Sequence, residues 1–195
     1  PQLTPLTSLA RYSHLDGVAL SADATLAPEE RLGHAAWNRV ELGLEVSNKE
    51  MGARIARALK QNVSSWVLTN LAAVYWRVRG DAAEAVACLQ HALHLSPNRV
   101  KDVALTQLAN VLANTGAGRD AQLLVRFAMA VGRPSYALHY LYGRLFLEAG
   151  DRDRAWAHFQ EATRLEPELR AAREMAISLP TCSRRWPPRF GGSLR

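Results

Sequence analysis

Cysteine is scarce in this chain of 195 residues, with Cys88 and Cys182 its whole complement. Two thiols cannot build a disulfide framework or a four-cysteine zinc site, and they fit a reduced intracellular setting. No apolar run approaches the ~20 residues that cross a bilayer as a helix, so no membrane span is expected. Aromatic residues make up only 7%. A glycine-rich phosphate loop is also missing, because Gly-Ala-Gly-Arg-Asp at 116–120 is too short and reads as a turn. The chain opens at Pro1 without an initiator methionine and reads as a fragment or a processed piece.

What is present is apolar material: 48% hydrophobic residues against 22% charged, enough to bury a core and to exclude wholesale disorder. The net charge of +6 points toward nucleic acid until it is located. Arg184, Arg185, Arg189 and Arg195 lie in an acid-free stretch at 180–195, and the rest of the chain carries 20 basic against 18 acidic side chains. A body that close to neutral attracts a polyanion weakly, and a short Arg, Pro and Gly-rich end reads as a solvated, disordered basic tail.

Internal repetition decides the architecture. In the segment 136–169, Gly143 stands one helical turn before Phe146, the turn Gly150-Asp151 follows, and a second helix carries Ala155, Phe159 and Ala162 before Pro167. A shift of 34 residues places Ala109, Leu112, Gly116, Ala121 and Ala128 in the slots of Gly143, Phe146, Gly150, Ala155 and Ala162. A further 36 places Gly80-Asp81, Ala85, Leu89, Ala92 and Pro97 there. The physics follows from the residue types. Small side chains let two antiparallel helices approach, and larger ones fill the space between neighbouring pairs. The glycines permit a left-handed helix end, Asp81, Asp120 and Asp151 lie near the next helix start, and proline closes a second helix. The first helix of the first repeat fits in two registers, Leu71-Ala72-Tyr75 or Ala72-Ala73-Trp76, the former implying one extra residue before Gly80.

The repeats so defined span about 66–99, 102–135 and 136–169. Residues 1–27 read as mostly irregular. Over 28–62 two helices are expected, a degenerate repeat or a cap: one from Pro28 to about 46, and one capped by Ser47-Asn48 with Met51, Ile55 and Leu59 on one face. A final helix over 168–179, carrying Leu169, Ala172, Met175, Ala176 and Leu179, is expected to cover the last repeat.

The pattern resembles the tetratricopeptide repeat, a helix–turn–helix unit of about 34 residues. The resemblance implies an all-α, right-handed solenoid of antiparallel helix pairs. Two stretches, SSWVLTNLAAVYWRVRGD and KDVALTQLANVL, are similar to one branch of that family, through Tyr75-Trp76-Arg77, Lys101-Asp102, Ala104-Leu105 and the extra residue before Gly80. That branch is associated with actin organisation and cilium assembly through protein–protein contacts. By resemblance the setting is cytoplasmic and cytoskeleton-associated.

In such arrays the first helix of each repeat lines a concave groove. The expected partner-binding residues are therefore Asn70, Val74 and Arg77 from the first repeat and Val103, Thr106, Asn110, Ala113 and Asn114 from the second. The third contributes Ala137, Tyr140, Arg144, Leu147 and Glu148. Amides and guanidinium groups can bond a peptide backbone, and tyrosine adds aromatic area with a polar tip. The groove lacks the lysines that a clamp for chain-terminal carboxylates would need. No catalytic constellation, cofactor site or metal set is expected. His91 and His94 are three apart without an evident third ligand, Cys88 reads as core, His139 and His158 each stand alone, and Ser64-Ser65 reads as a helix cap. RNA is the alternative partner class and is disfavoured, since base readers repeat a matched polar pair in every unit and the slots here mix Val, Asn and Arg.

Overall fold

The computed structural model describes residues 15–19, 26–27, 47–132 and 135–179. The expected helix from Pro28 to about 46 and the basic tail at 180–195 lie outside the described residues. The described elements are helical: α1 (Asp16–Ala19), α2 (Asn48–Gln61), α3 (Trp66–Arg79), α4 (Ala82–Leu95), α5 (Lys101–Asn114), α6 (Gly118–Val131), α7 (Tyr136–Glu148), α8 (Arg152–Leu165) and α9 (Arg170–Ser178). A 3-10 turn, Asn98–Val100, leads into α5. Helices α3 and α4, α5 and α6, and α7 and α8 pack as antiparallel pairs, as the repeat spacing requires. Contacts group the chain into two compact units, Pro1–Arg133 with α1 to α6 and Pro134–Arg195 with α7 to α9.

Each pair turns on the glycine identified in the sequence. Gly80, Gly116 and Gly150 have φ of 78°, 88° and 80°, a left-handed conformation that costs an L side chain about 1 kcal/mol or more. The residue after each glycine donates its N–H five positions back: Asp81 to the Trp76 carbonyl, Ala117 to Leu112 and Asp151 to Phe146. These bonds satisfy carbonyls that a helix end would otherwise leave open. They also fix the register of the first repeat. Trp76 is the counterpart of Leu112 and Phe146, so the Ala72-Ala73-Trp76 alignment holds and no extra residue precedes Gly80. Ala73, like Ala109, is fully buried.

Helix starts are set by short polar side chains. Ser47, Ser65 and Ser135 accept from the N–H groups of Glu50, Leu68 and Leu138, and Asp81 and Asp151 from those of Glu84 and Arg154. Each such cap contributes about 1 kcal/mol. Helices α5 and α6 have none. Asp120, expected near the start of α6, lies inside its first turn and caps nothing there.

In the first unit α2 lies on α3, with Gly52 so close to the Tyr75 ring that a Cβ would stand 2.7 Å from it. Ile55, Ala72 and Val78 form the centre of this contact, flanked by Met51, Leu59 and Val74. The α5–α6 pair supplies the most fully enclosed side chains, among them Leu105, Leu108, Leu112, Leu124 and Val125. In the second unit Phe146, Ala155 and Phe159 are covered by Ala176 and Leu179 at the end of α9. That helix is the expected cap over the last repeat, and Ile177 points away from the core. Within the stretch read as irregular, α1 makes a single helical turn, with Leu15 and Val18 buried.

Two glycines separate the energetic roles. No atom lies within 4 Å of a Cβ added at Gly116, so Gly116→Ala costs only backbone strain, about 1 kcal/mol. At Gly143 the added carbon would stand 2.8 Å from the buried Phe159 ring, and Gly143→Leu is expected to cost at least about 1–3 kcal/mol. Urea unfolding of both variants checks the ranking. A Gly143→Leu protein as stable as the parent would mean that α7 and α8 do not approach closely.

Candidate functional site

The first helices of the pairs carry the candidate residues, and the two units are taken in turn. In the first unit, Asn70 and Arg77 stand two turns apart on α3, and both are 5% exposed. They do not stand free in a groove. The Asn70 amide donates to the Trp66 carbonyl at 2.9 Å, and its oxygen accepts from Gln107 Nε2 of α5 at 3.2 Å. The Gln107 oxygen in turn accepts from Arg77 Nη1 at 3.5 Å. Gln107 therefore bridges α3 and α5, with one polar residue on each end of the bridge. Burial of these groups is tolerable because they bond one another, and removal of one member would cost its neighbours a hydrogen bond.

Around that bridge the other candidates differ in exposure. Val74 packs on the Ile55, Ala72 and Val78 cluster. Thr106 is half-buried, its hydroxyl donating to the Asp102 carbonyl at 2.6 Å. Asn110 and Ala113 are half-buried, and Asn114 is exposed. Val103 is 40% exposed, and Val67, its counterpart one repeat earlier, 53%. Sequence reasoning missed Gln107 and Val67. Gln107 was detectable, since its slot holds Leu71 and Leu141 in the other repeats and a polar residue breaks that pattern.

In the second unit, Tyr140 and Leu147 pack on the Phe146, Phe159 and Ala176 cluster, with the Tyr140 and Phe159 ring centres 5.6 Å apart. Arg144 pairs with Glu148 one turn on, at 3.5 Å. Glu148 and Ala137 are exposed.

The titratable groups read as packing chemistry. His91 and His94 are exposed. Cys88 is a free, half-buried thiol, pushed up to about 11 by burial and by Glu84, and so it is a poor nucleophile at neutral pH. His139 and His158, read singly in the sequence, are partners: both are buried, with their Nδ1 atoms 3.0 Å apart. One Nδ1–H donates to the other ring's lone pair, which requires opposite tautomers. Burial depresses both, His158 to about 4 with His139 and Arg154 adding to it and Glu161 opposing, and Tyr142 and Phe146 lie against its ring. In the repeat alignment they occupy the slots of Leu105 and Leu124, both fully enclosed. Among the described residues, no group of three His, Cys, Asp or Glu side chains could hold a metal ion.

Antiparallel helix pairs joined through left-handed glycines at this spacing define an all-α helix-pair repeat protein, with the architecture of a tetratricopeptide-type solenoid. Proteins of that kind are generally non-catalytic interaction scaffolds. The chain is related to tetratricopeptide repeat protein 17. It is 33% identical over 180 residues to that protein of Homo sapiens and, equally, of Mus musculus, an alignment taking in 87% of this chain and 15% of each relative. The Danio rerio protein is 31% identical over 171 residues, with 86% and 14% covered. The chain thus spans about 15% of the length of the curated relatives it matches. No family model matches the chain.

The histidine pair makes stability depend on pH. The native protein holds His158 neutral down to about 4, while an unfolded histidine takes its proton near 6.5. Between those values the unfolded state binds more protons, so stability falls as pH drops through the window, by up to about 3 kcal/mol. Denaturant unfolding at pH 7 and pH 4.5 measures the loss. The double replacement His139→Leu with His158→Leu, which copies the Leu105 and Leu124 arrangement, is expected to reduce it. An unchanged slope would sink the assignment.

Proposed function

We propose that this chain is a protein-binding module whose partner is a peptide segment lying along the α3 and α5 face of the first unit. The supporting observation is the Asn70–Gln107–Arg77 bridge. It ties the two first helices together and spaces the accessible positions beside it: Val67 and Val103 offer aliphatic contact, and Asn110 and Asn114 carry amides able to pair with a main chain. Thr106 and Val74 are half-buried positions of the same two helices, and Asn70 and Arg77 support the surface from within. In the second unit, taken by itself, Arg144, Glu148 and the edges of Tyr140 and Leu147 are a separate candidate contact surface. Participation in actin organisation and cilium assembly, in the cytoplasm, is carried by the resemblance to one branch of the tetratricopeptide repeat family.

The test uses the intact chain as bait for affinity capture. Val103→Asp combined with Asn110→Ala is expected to cut recovered partner by about tenfold or more, with helicity by circular dichroism unchanged. Arg144→Ala with Glu148→Ala is expected to weaken capture less. Wild-type recovery by the first variant would remove the α3 and α5 face as the site, and RNA crosslinking in place of protein capture would move the function to the other partner class.

A further inference from the structure

In two of the three helix pairs, the residue after the turn glycine is an aspartate that caps the second helix. Asp81 accepts the Glu84 N–H and Asp151 the Arg154 N–H, each at 3.0 Å. The middle pair departs from this. Ala117 occupies the position, no side chain caps α6, and the acid is three residues on, at Asp120. Asp120 Oδ2 instead accepts the backbone N–H of Gly17 at 2.8 Å, across 103 positions of sequence.

The fit around Gly17 is close. A Cβ there would overlap the Ala117 methyl and stand 3.2 Å from Asp120 Oδ2 and 3.4 Å from Leu112 Cδ2. Leu15, two positions before Gly17, and Val18, next after it, are buried, and the Val18 N–H closes the turn onto the Leu15 carbonyl at 3.0 Å. Three selections are built into this contact. The carboxylate reads a main-chain N–H, a charge-assisted bond. The Ala117 floor admits glycine and no larger residue. Burial of Leu15 and Val18 rewards aliphatic neighbours. An aspartate at 117, as in the flanking pairs, would fill the space that Gly17 needs, so the helix cap is absent where the segment docks.

We propose that the α5–α6 turn is a peptide-docking subsite selective for glycine with an aliphatic residue after it and another two positions before it, and that residues 15–18 of this same chain are its resident ligand, bound in cis. The subsite is independent of the partner surface on α3 and α5.

Amide hydrogen exchange on the full chain tests it. The Gly17 amide is expected to exchange slowly in the parent protein and about tenfold or more faster in Asp120→Ala. Ala117→Asp separates docking from stability, since it supplies the missing cap: α6 should keep or gain protection while Gly17 loses it. Gly17→Val attacks from the ligand side and is expected to expose the Val18 amide with the helix pairs intact. A Gly17 amide exchanging at the rate of an unstructured peptide in the parent, or one equally protected in Ala117→Asp, would overturn the proposal. Protection that rises with protein concentration would overturn the cis assignment in favour of exchange between copies.

Discussion

Reversal of the chain through a left-handed residue is the constraint on which the rest of the molecule depends. At Gly80, Gly116 and Gly150 the backbone adopts a conformation that other residues resist, and the next N–H reaches back to the same carbonyl in every case. The result is a fixed exit direction, so the second helix runs back along the first. The paired helices are 13 or 14 residues long, about 20 Å, and a helix of that length is marginal alone in water. Pairing supplies the missing stability, and pairing at short range is possible because Ala73, Ala109 and Gly143 add almost nothing to the helix surface.

The three pairs then meet the same requirement by different means. The outer pairs use serine and aspartate caps, and the last of them takes in a histidine pair between its helices. The middle pair has no side-chain caps at all and relies on leucine, valine and alanine packed to complete exclusion of solvent. Local and tertiary stabilisation trade against one another along the chain. Where the cap is missing, the backbone of another segment comes to Asp120 in its place.

The turn glycines, the small residues opposite them, the caps at Ser47, Ser65, Asp81 and Asp151 and the closing helix α9 were legible in the sequence because each answers a local or periodic rule. Equivalent rules did not reveal the side chains that meet across helices. Asn70 and Arg77 look like surface residues by type, and both are buried where they bond Gln107, 30 residues beyond Arg77. His139 and His158 are 19 apart, a spacing with no local meaning. Both features do leave a trace when repeats are superimposed: Gln107 stands in a slot held by Leu71 and Leu141, and the histidines in slots held in the middle repeat by Leu105 and Leu124. The site residues of the second unit were recognisable as first-helix positions, but the packing of Tyr140 and Leu147 onto the α8 and α9 core depends on neighbours that periodicity cannot name.

The unlike contents of equivalent slots carry a consequence for assembly. Repeats of near-equal length invite misthreading, in which a helix docks on the wrong mate one unit along. Here such an exchange would set an imidazole against Leu105 or Leu124, strand Gln107 among aliphatic neighbours, or bring an aspartate to the place that now receives Gly17. Each mismatch buries an unsatisfied polar group or creates a clash, so the irregularities that make the repeats hard to read also proofread the order in which they close.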